Sequence, residues 1–155
     1  MSQRGKINKC DDFNTPAEAW DLIIKHTNLA DKKVWCPFWN DGEITFSHKA
    51  IIHQEKDFFN YEPDEYDYII DNPPFSIKKQ VLERCVSLNK PFALLLPIET
   101  MERKYFNKLV QGQDFTMIIP NKRYNFKGGN NKKNVMFKSC WYCFGYGFDT
   151  QLIFD

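Results

Sequence analysis

Two consecutive prolines limit what this chain can fold into more than any other feature of its sequence. Pro73 and Pro74 follow a run rich in apolar residues, 66–70, after only Asp71 and Asn72, and they precede a helical pattern over residues 77–88. Proline lacks the N–H that a strand ladder needs and restricts φ, so the strand must end at this point. The prolines therefore lie at a strand-to-helix junction. In open α/β sheets, such junctions lie at the carboxyl edge, where ligands bind.

Strands alternate with helices along most of the chain. Hydrophobic periodicity and turn residues predict helices over residues 17–26, 77–88 and 99–110, with Asn14 or Thr15 capping the first. They predict strands over residues 33–39, 50–53, 66–70, 92–96, 115–119 and 139–148, with a possible extension at 124–126. We expect an α/β fold with a mostly parallel sheet, and an antiparallel C-terminal edge where no helix separates the last strands.

Composition favours one packed globular domain over residues 1–155. Apolar residues make up 43% of the chain, and no apolar run is long enough to span a bilayer. The N-terminus lacks the apolar segment of a signal peptide, so we expect a cytoplasmic protein. The five cysteines are scattered and odd in number, which favours reduced thiols, and the pair Cys140 and Cys143 lacks further metal ligands nearby. We predict no metal site.

Charge is concentrated in one segment although the net charge is only +1. Residues 121–138 contain no acid, and their bases are Lys122, Arg123, Lys127, Lys132, Lys133 and Lys138. Such a segment is suited to following the phosphates of a nucleic acid, with Tyr124 as a ring on which a base could stack. A solvated loop without a partner is the alternative interpretation.

The tetrapeptide Asn72-Pro73-Pro74-Phe75 matches the Asp/Asn/Ser-Pro-Pro-aromatic pattern of amino-methyltransferases. Through it the chain resembles the adenine-N6 DNA methyltransferases, in particular small members from phages and mobile elements. The resemblance implies a Rossmann-like class I fold, S-adenosylmethionine as cofactor, and nucleic acid as partner, DNA in preference to RNA. It also suggests a bacterial or phage-infected cell as the source.

The residue types of this tetrapeptide suit methylation of an unreactive amine. The lone pair of an aromatic amino group is delocalised into the ring, and two acceptors on its hydrogens favour attack and take up the developing positive charge. Asn72 offers a side-chain carbonyl and Pro73 a main-chain carbonyl, which Pro74 helps to hold in place. Phe75 offers a face for a base, a contact of about 1–3 kcal/mol. No separate general base is expected.

The same resemblance assigns cofactor contacts to three other segments. Residues 36–42 align with the Asp-Pro-Phe-x-Gly-x-Gly turn after the first strand of the family, and Thr15 and Pro16 align with the segment that flanks the cofactor carboxylate. Asp57 and Phe58 resemble the acid-Phe pair that receives the cofactor adenine, and Glu55 the acid that binds the ribose. The aligned turn residues are Cys36, Pro37, Phe38, Asn40, Asp41 and Gly42. Cys36 replaces the family acid and Asn40 the first glycine, with Asp41 as a substitute partner for the ammonium.

The stretch 43–66 is shorter than the family requires. Two average helices and two average strands need roughly 32 residues before any loop is counted. We therefore expect the N-terminal half of the sheet to be reduced, and we expect no separate target-recognition domain. Active adenine-N6 methylation is the leading hypothesis. The alternatives are an inactive methyltransferase-like binding or inhibitory module and a protein-glutamine methyltransferase, whose carboxamide substrate poses the same chemical problem.

Overall fold

A computed structural model describes residues 15–38, 50–51, 56–126 and 137–155. Its helices are α1 (Ala17–His26), α2 (Lys78–Ser87) and α3 (Lys104–Val110), with 3-10 turns at Phe75–Ile77 and Ile98–Glu102. Its strands are β1 (Val34–Trp35), β2 (Ala50–Ile51), β3 (Tyr68–Asp71), β4 (Phe92–Pro97), β5 (Phe115–Ile119), β6 (Ser139–Phe144) and β7 (Leu152–Phe154).

The strands form one sheet in the order β2-β1-β3-β4-β6-β5-β7. The strands β2, β1, β3 and β4 are parallel, whereas β6 is antiparallel to both β4 and β5. β7 adds a parallel pairing to β5. The predicted Rossmann-like α/β fold with a mostly parallel sheet is confirmed, and β2 is the outermost described strand on its side. The antiparallel strand β6, however, lies inside the sheet and not at its edge.

β4 is buried along its whole length because helices cover both faces of the sheet. Phe92, Leu94 and Leu96 pack with α2 and α3 on one face, whereas Ala93 and Leu95 pack with α1 on the other. This is the burial expected of a continuous apolar run between two helical layers. The same alternation along β6 sends Cys140 to the first face and Cys143 to the second, so the two thiols cannot bind one ion.

A tryptophan of β6 anchors α1 to the sheet. The indole N–H of Trp141 donates a hydrogen bond of 2.9 Å to the main-chain oxygen of Ala19, and both residues are fully buried. The ring of Trp141 also lies 5.6 Å from that of Trp20. The N–H of a buried tryptophan usually finds an acceptor, which an α1 carbonyl supplies here. The contact fixes where α1 crosses the sheet.

Several predicted elements end earlier than the apolar pattern suggested. Gly145 and Gly147 adopt φ of +80° and +69°, and these left-handed residues end β6 at Phe144, although a strand was predicted to residue 148. The predicted helix 99–110 is interrupted at Arg103, whose ψ of 139° is extended. Pairing in β1 stops after Trp35, because Pro37 offers no N–H. The predicted strand 124–126 is absent, and β7 was not predicted.

The carboxyl ends of six of the seven described strands, all except β6, lie at one edge of the sheet, which we call the carboxyl edge. β1, β3 and β4 are parallel, and β5 runs in the same direction since both β4 and β5 are antiparallel to β6. β6 begins at this edge, where the N–H of Ile98 donates to the main-chain oxygen of Lys138 over 2.8 Å. The Asn72-Pro-Pro-Phe segment and both ends of the basic segment therefore lie along the same edge.

Among the residues that the structure describes, none of the helices has the length and apolar character needed to cross a bilayer.

The central position of β4 predicts unequal costs for the same substitution at two leucines. Leu95→Ala, in a fully buried strand, should lower the free energy of unfolding by about 2–5 kcal/mol. Leu152→Ala is the matched control, because this side chain is 45% exposed on β7 and should cost about 1 kcal/mol or less. Urea denaturation measures both values, and equal costs would contradict the described burial.

Candidate active site at the carboxyl edge

The side-chain amide of Asn72 is held in one orientation. Its Nδ2 donates a hydrogen bond of 2.9 Å to the Oγ1 of Thr15, a residue that is only 6% exposed. The carbonyl oxygen Oδ1 is buried and has no hydrogen-bond partner among the described residues. The predicted acceptor at Asn72 is therefore a carbonyl oxygen with both lone pairs available, and a buried acceptor of this kind carries a desolvation cost unless something pairs with it.

Thr15 serves this amide and does not cap the first helix. The residue that precedes α1 is Pro16, and no side chain hydrogen-bonds to the helix start there. The predicted capping role of Thr15 is thus wrong, because the residue lies one position too early. Asn14, the other predicted cap, lies outside the described residues. Thr15 was also predicted beside a cofactor carboxylate, and its contact with Asn72 places it at the carboxyl edge.

The two prolines hold the chain in a tight passage from β3 to α2. Pro73 is buried, and the main-chain oxygen of Pro74 accepts from the N–H of Ile77 over 3.2 Å, which forms the 3-10 turn before the helix. Phe75 is half-buried within that turn. Its ring lies 5.3 Å from that of Phe137, at an interplanar angle of 64°. The end of the basic segment therefore contacts the Asn-Pro-Pro-Phe segment directly.

Asp71 is a site residue that the sequence patterns did not single out. Its side chain is 2% exposed, and its two carboxylate oxygens accept main-chain N–H groups of Phe38 at 2.5 Å and Asn72 at 2.8 Å. Burial raises the pKa of the neighbouring Cys36 thiol well above its usual value, and the Asp71 carboxylate adds to that shift. Cys36 is therefore a neutral, buried thiol and cannot replace an acid that binds an ammonium group. The one available signal for Asp71 was an acid inside an apolar strand.

Two segments predicted to bind cofactor come into contact. The rings of Phe38 and Phe58 lie 5.0 Å apart, which joins the turn after β1 to the 56–60 segment. Asp57 holds that segment in a turn, since its Oδ1 accepts from the N–H of Phe59 at 3.0 Å and its Oδ2 from the Nδ2 of Asn60 at 2.8 Å. Pro37 is buried beside them. The predicted residues Asn40, Asp41, Gly42 and Glu55 lie outside the described residues.

The basic segment is described at its two ends only. Lys122 forms an ion pair of 2.7 Å with Glu18 of α1, Arg123 is exposed, and the Nζ of Lys138 donates to the main-chain oxygen of Pro120 over 2.9 Å. The predicted positions Lys127, Lys132 and Lys133 lie outside the described residues.

Tyr124 does not offer the stacking surface that the sequence suggested. Only 4% of its surface is exposed, and it packs in the same cluster as α1. Burial also raises the pKa of its hydroxyl. A base cannot stack on a ring whose faces are already covered, so Tyr124 is a core residue and we remove it from the predicted nucleic-acid contact.

A cavity of about 310 Å³ lies apart from this site, at the opposite edge of the sheet. Its lining residues include Lys90, Phe92 and Phe144. In the described part of the chain, no group of three or more histidine, cysteine or acidic side chains is placed to hold a metal ion.

Comparison with known proteins gives little beyond the geometry. No family model matches the chain, and no curated protein matches it. Among solved structures, the chain is similar to a provisionally named methyltransferase from Thermoplasma acidophilum, with 12% identity and a TM-score of 0.34. The match covers 92% of this chain but only 58% of that protein. A likeness at this level carries no argument about activity. The fold of this protein is defined by the strand order described above.

The Thr15 contact predicts a measurable cost when its hydroxyl is removed. Thr15→Val keeps the shape but leaves the buried Asn72 amide without its acceptor, which should lower the free energy of unfolding by about 1–3 kcal/mol. Thr15→Ser keeps the hydroxyl and is the matched control. Chemical denaturation of the three proteins tests the contact, and a valine variant as stable as the serine variant would contradict it.

Proposed function

We propose that this protein transfers a methyl group from S-adenosylmethionine to the exocyclic N6 amine of adenine in DNA. The observation that carries the proposal is the Asn72 carbonyl oxygen, which is buried at the carboxyl edge without a partner among the described residues. Thr15 holds the amide so that this oxygen, and not the NH₂ group, is the atom left for a ligand. The complementary ligand group is a hydrogen-bond donor such as an amine N–H.

Methyl transfer requires these residues to orient the substrate amine and to stabilise the charge that develops on its nitrogen. Asn72 Oδ1 and the main-chain oxygen of Pro73 would each accept one amine hydrogen, which favours a pyramidal nitrogen and stabilises the positive charge that develops on it. The cofactor, when bound, supplies the electrophilic methyl carbon. Residues that are already in position before the substrate binds lower the entropic part of the barrier. The double proline restricts the main chain at this point. Solvent can take the proton after transfer.

On the cofactor side, the described residues fit part of S-adenosylmethionine, which is a nucleoside with an amino-acid tail. Phe38 and Phe58 form an apolar wall next to the carboxyl end of β1, and Asp57 lies in the same turn with one hydrogen bond on each described carboxylate oxygen. Each carboxylate oxygen can accept a second hydrogen bond, so Asp57 can still accept one from the amino group of the cofactor adenine. Pro16, Pro37 and Cys36 would shape this side of the site without charge.

The basic segment favours nucleic acid over a protein substrate. Its exposed base Arg123 follows the end of β5, and its last residues bring Phe137 against Phe75. Phosphates bound at Arg123 would therefore lie along the edge that carries Asn72, and Lys127, Lys132 and Lys133 are further phosphate contacts that the sequence predicts. In duplex DNA the target base would have to leave the stack, and Phe75 offers part of a face for it.

The amine-acceptor role of Asn72 is tested by methyl transfer. The wild type and Asn72→Ala are incubated with methyl-labelled S-adenosylmethionine and duplex DNA, single-stranded DNA, RNA or a glutamine-containing peptide. We expect label on the N6 of adenine in DNA and a loss of about 100-fold or more in Asn72→Ala, as for removal of one preorganised transition-state contact. Asn107→Ala is the control, because Asn107 is exposed on α3.

Each other outcome has a definite meaning. Label that persists in Asn72→Ala would place the acceptor elsewhere, and label on the peptide alone would favour glutamine methylation. If the wild type binds no S-adenosylmethionine in calorimetric titration at millimolar concentration, the enzyme proposal is wrong and an inactive binding module is favoured.

The basic segment predicts that affinity for DNA depends on salt. Binding through phosphates weakens linearly on a log–log plot of affinity against salt, with a slope of about 0.9 for each phosphate neutralised. Arg123→Ala should reduce that slope by about 1 and weaken binding to all sequences alike. Lys32→Ala is the control, because Lys32 precedes β1 at the opposite edge of the sheet. Equal slopes for all three proteins would contradict a phosphate contact at Arg123.

A further inference from the structure

We propose that Asp71 is a positioning residue that joins the amine acceptor to the turn after β1, so that the target side and the cofactor side of the site form one unit. The inference rests on the proposed function, since it assigns a role within the same site. Asp71 itself contacts neither reacting group in this arrangement. It acts through the two main-chain N–H groups that its carboxylate binds.

Each oxygen of the Asp71 carboxylate accepts a hydrogen bond from a different main-chain N–H group. Oδ1 accepts from the N–H of Asn72, the residue whose side chain is the amine acceptor, and Oδ2 accepts from the N–H of Phe38 on the neighbouring strand connection. The side chain bridges β3 and the segment after β1 at the point where their ladder has ended.

Because Asp71 is buried, replacing it with another residue at this position would cost free energy. A carboxylate that is 2% exposed is tolerated only when its oxygens are hydrogen-bonded, and bonds from main-chain N–H groups to a charged oxygen are stronger than neutral ones. Asparagine has the same shape but only one acceptor oxygen, so its NH₂ group would face one of the two N–H donors. Asp71→Asn therefore releases either Phe38 or Asn72.

The other end of the same strand pair provides a control with the same type of bond on an exposed carboxylate. Asp67, just before β3, accepts from the N–H of Lys33, just before β1, over 2.7 Å through its Oδ2. This is the same type of bond, carboxylate to main-chain N–H, between the same two strands. Because it lies at the amino end of both strands, its loss should affect the pairing without moving the candidate active site.

The test compares the wild type with Asp71→Asn and Asp67→Asn in three measurements. The first is hydrogen exchange of peptides covering residues 36–38 and 71–75 without cofactor. The second is calorimetric titration with S-adenosylmethionine, and the third is the kcat and KM of methylation. We expect Asp71→Asn alone to exchange at least 10-fold faster in one or both of these peptides, to bind cofactor at least 10-fold more weakly, and to lose at least 10-fold in kcat. Asp67→Asn should stay within about twofold of the wild type in all three.

Failure of this inference differs from failure of the proposed function. If Asp71→Asn matches Asp67→Asn in exchange, binding and kinetics, Asp71 has only an ordinary structural role and the inference is wrong. If the wild type neither binds cofactor nor methylates, the proposed function is wrong, while the exchange comparison still decides whether Asp71 joins the two segments. Should Asp71→Asn fail to fold, Asp71→Glu keeps the charge but displaces the oxygens, and the same defects in a folded protein are expected.

Discussion

The burial of β4 on both faces is the constraint on which the rest of the structure depends. A strand whose six residues are all buried has to be paired on both sides and covered above and below. β3 and β6 supply the pairing, α2 and α3 cover one face, and α1 covers the other. Once both faces are covered, the strand ends are where polar chemistry can reach solvent and ligands, which is why the candidate site lies at the carboxyl edge.

At that edge, stability is given up for a defined acceptor. A buried carbonyl oxygen without a partner costs about 1–3 kcal/mol, and among the described residues Asn72 carries such an atom while its NH₂ group is bound to Thr15. Asp71 shows the opposite arrangement, since both of its oxygens are hydrogen-bonded. One polar side chain thus bridges the two segments, and the next in the chain keeps a buried carbonyl oxygen unpaired among the described residues. Such local cost within a well-packed fold is typical of functional sites.

The sequence predicted elements more reliably than contacts. The alternation of strands and helices, the buried run at β4 and the strand-to-helix junction at Pro73 and Pro74 all follow from local periodicity and proline chemistry, and the structure contains them. The errors have local causes too, as at Gly145 and Arg103. Tyr124 was misjudged for a different reason, because a tyrosine in a basic segment looks exposed until α1 packs against it.

The sequence by itself determined the class of fold and singled out Asn72 as the candidate amine acceptor, because hydrophobic period and the chemistry of Asn-Pro-Pro-Phe act within a few neighbouring residues. Only the tertiary structure decided that Thr15 orients Asn72 across 57 positions and that Asp71 binds Phe38 across 33. It also decided that the basic segment starts and ends at the acceptor's edge, through the antiparallel insertion of β6 between β4 and β5. Hydrogen bonds between distant residues depend on how strands are ordered, and that order is a property of the whole sheet.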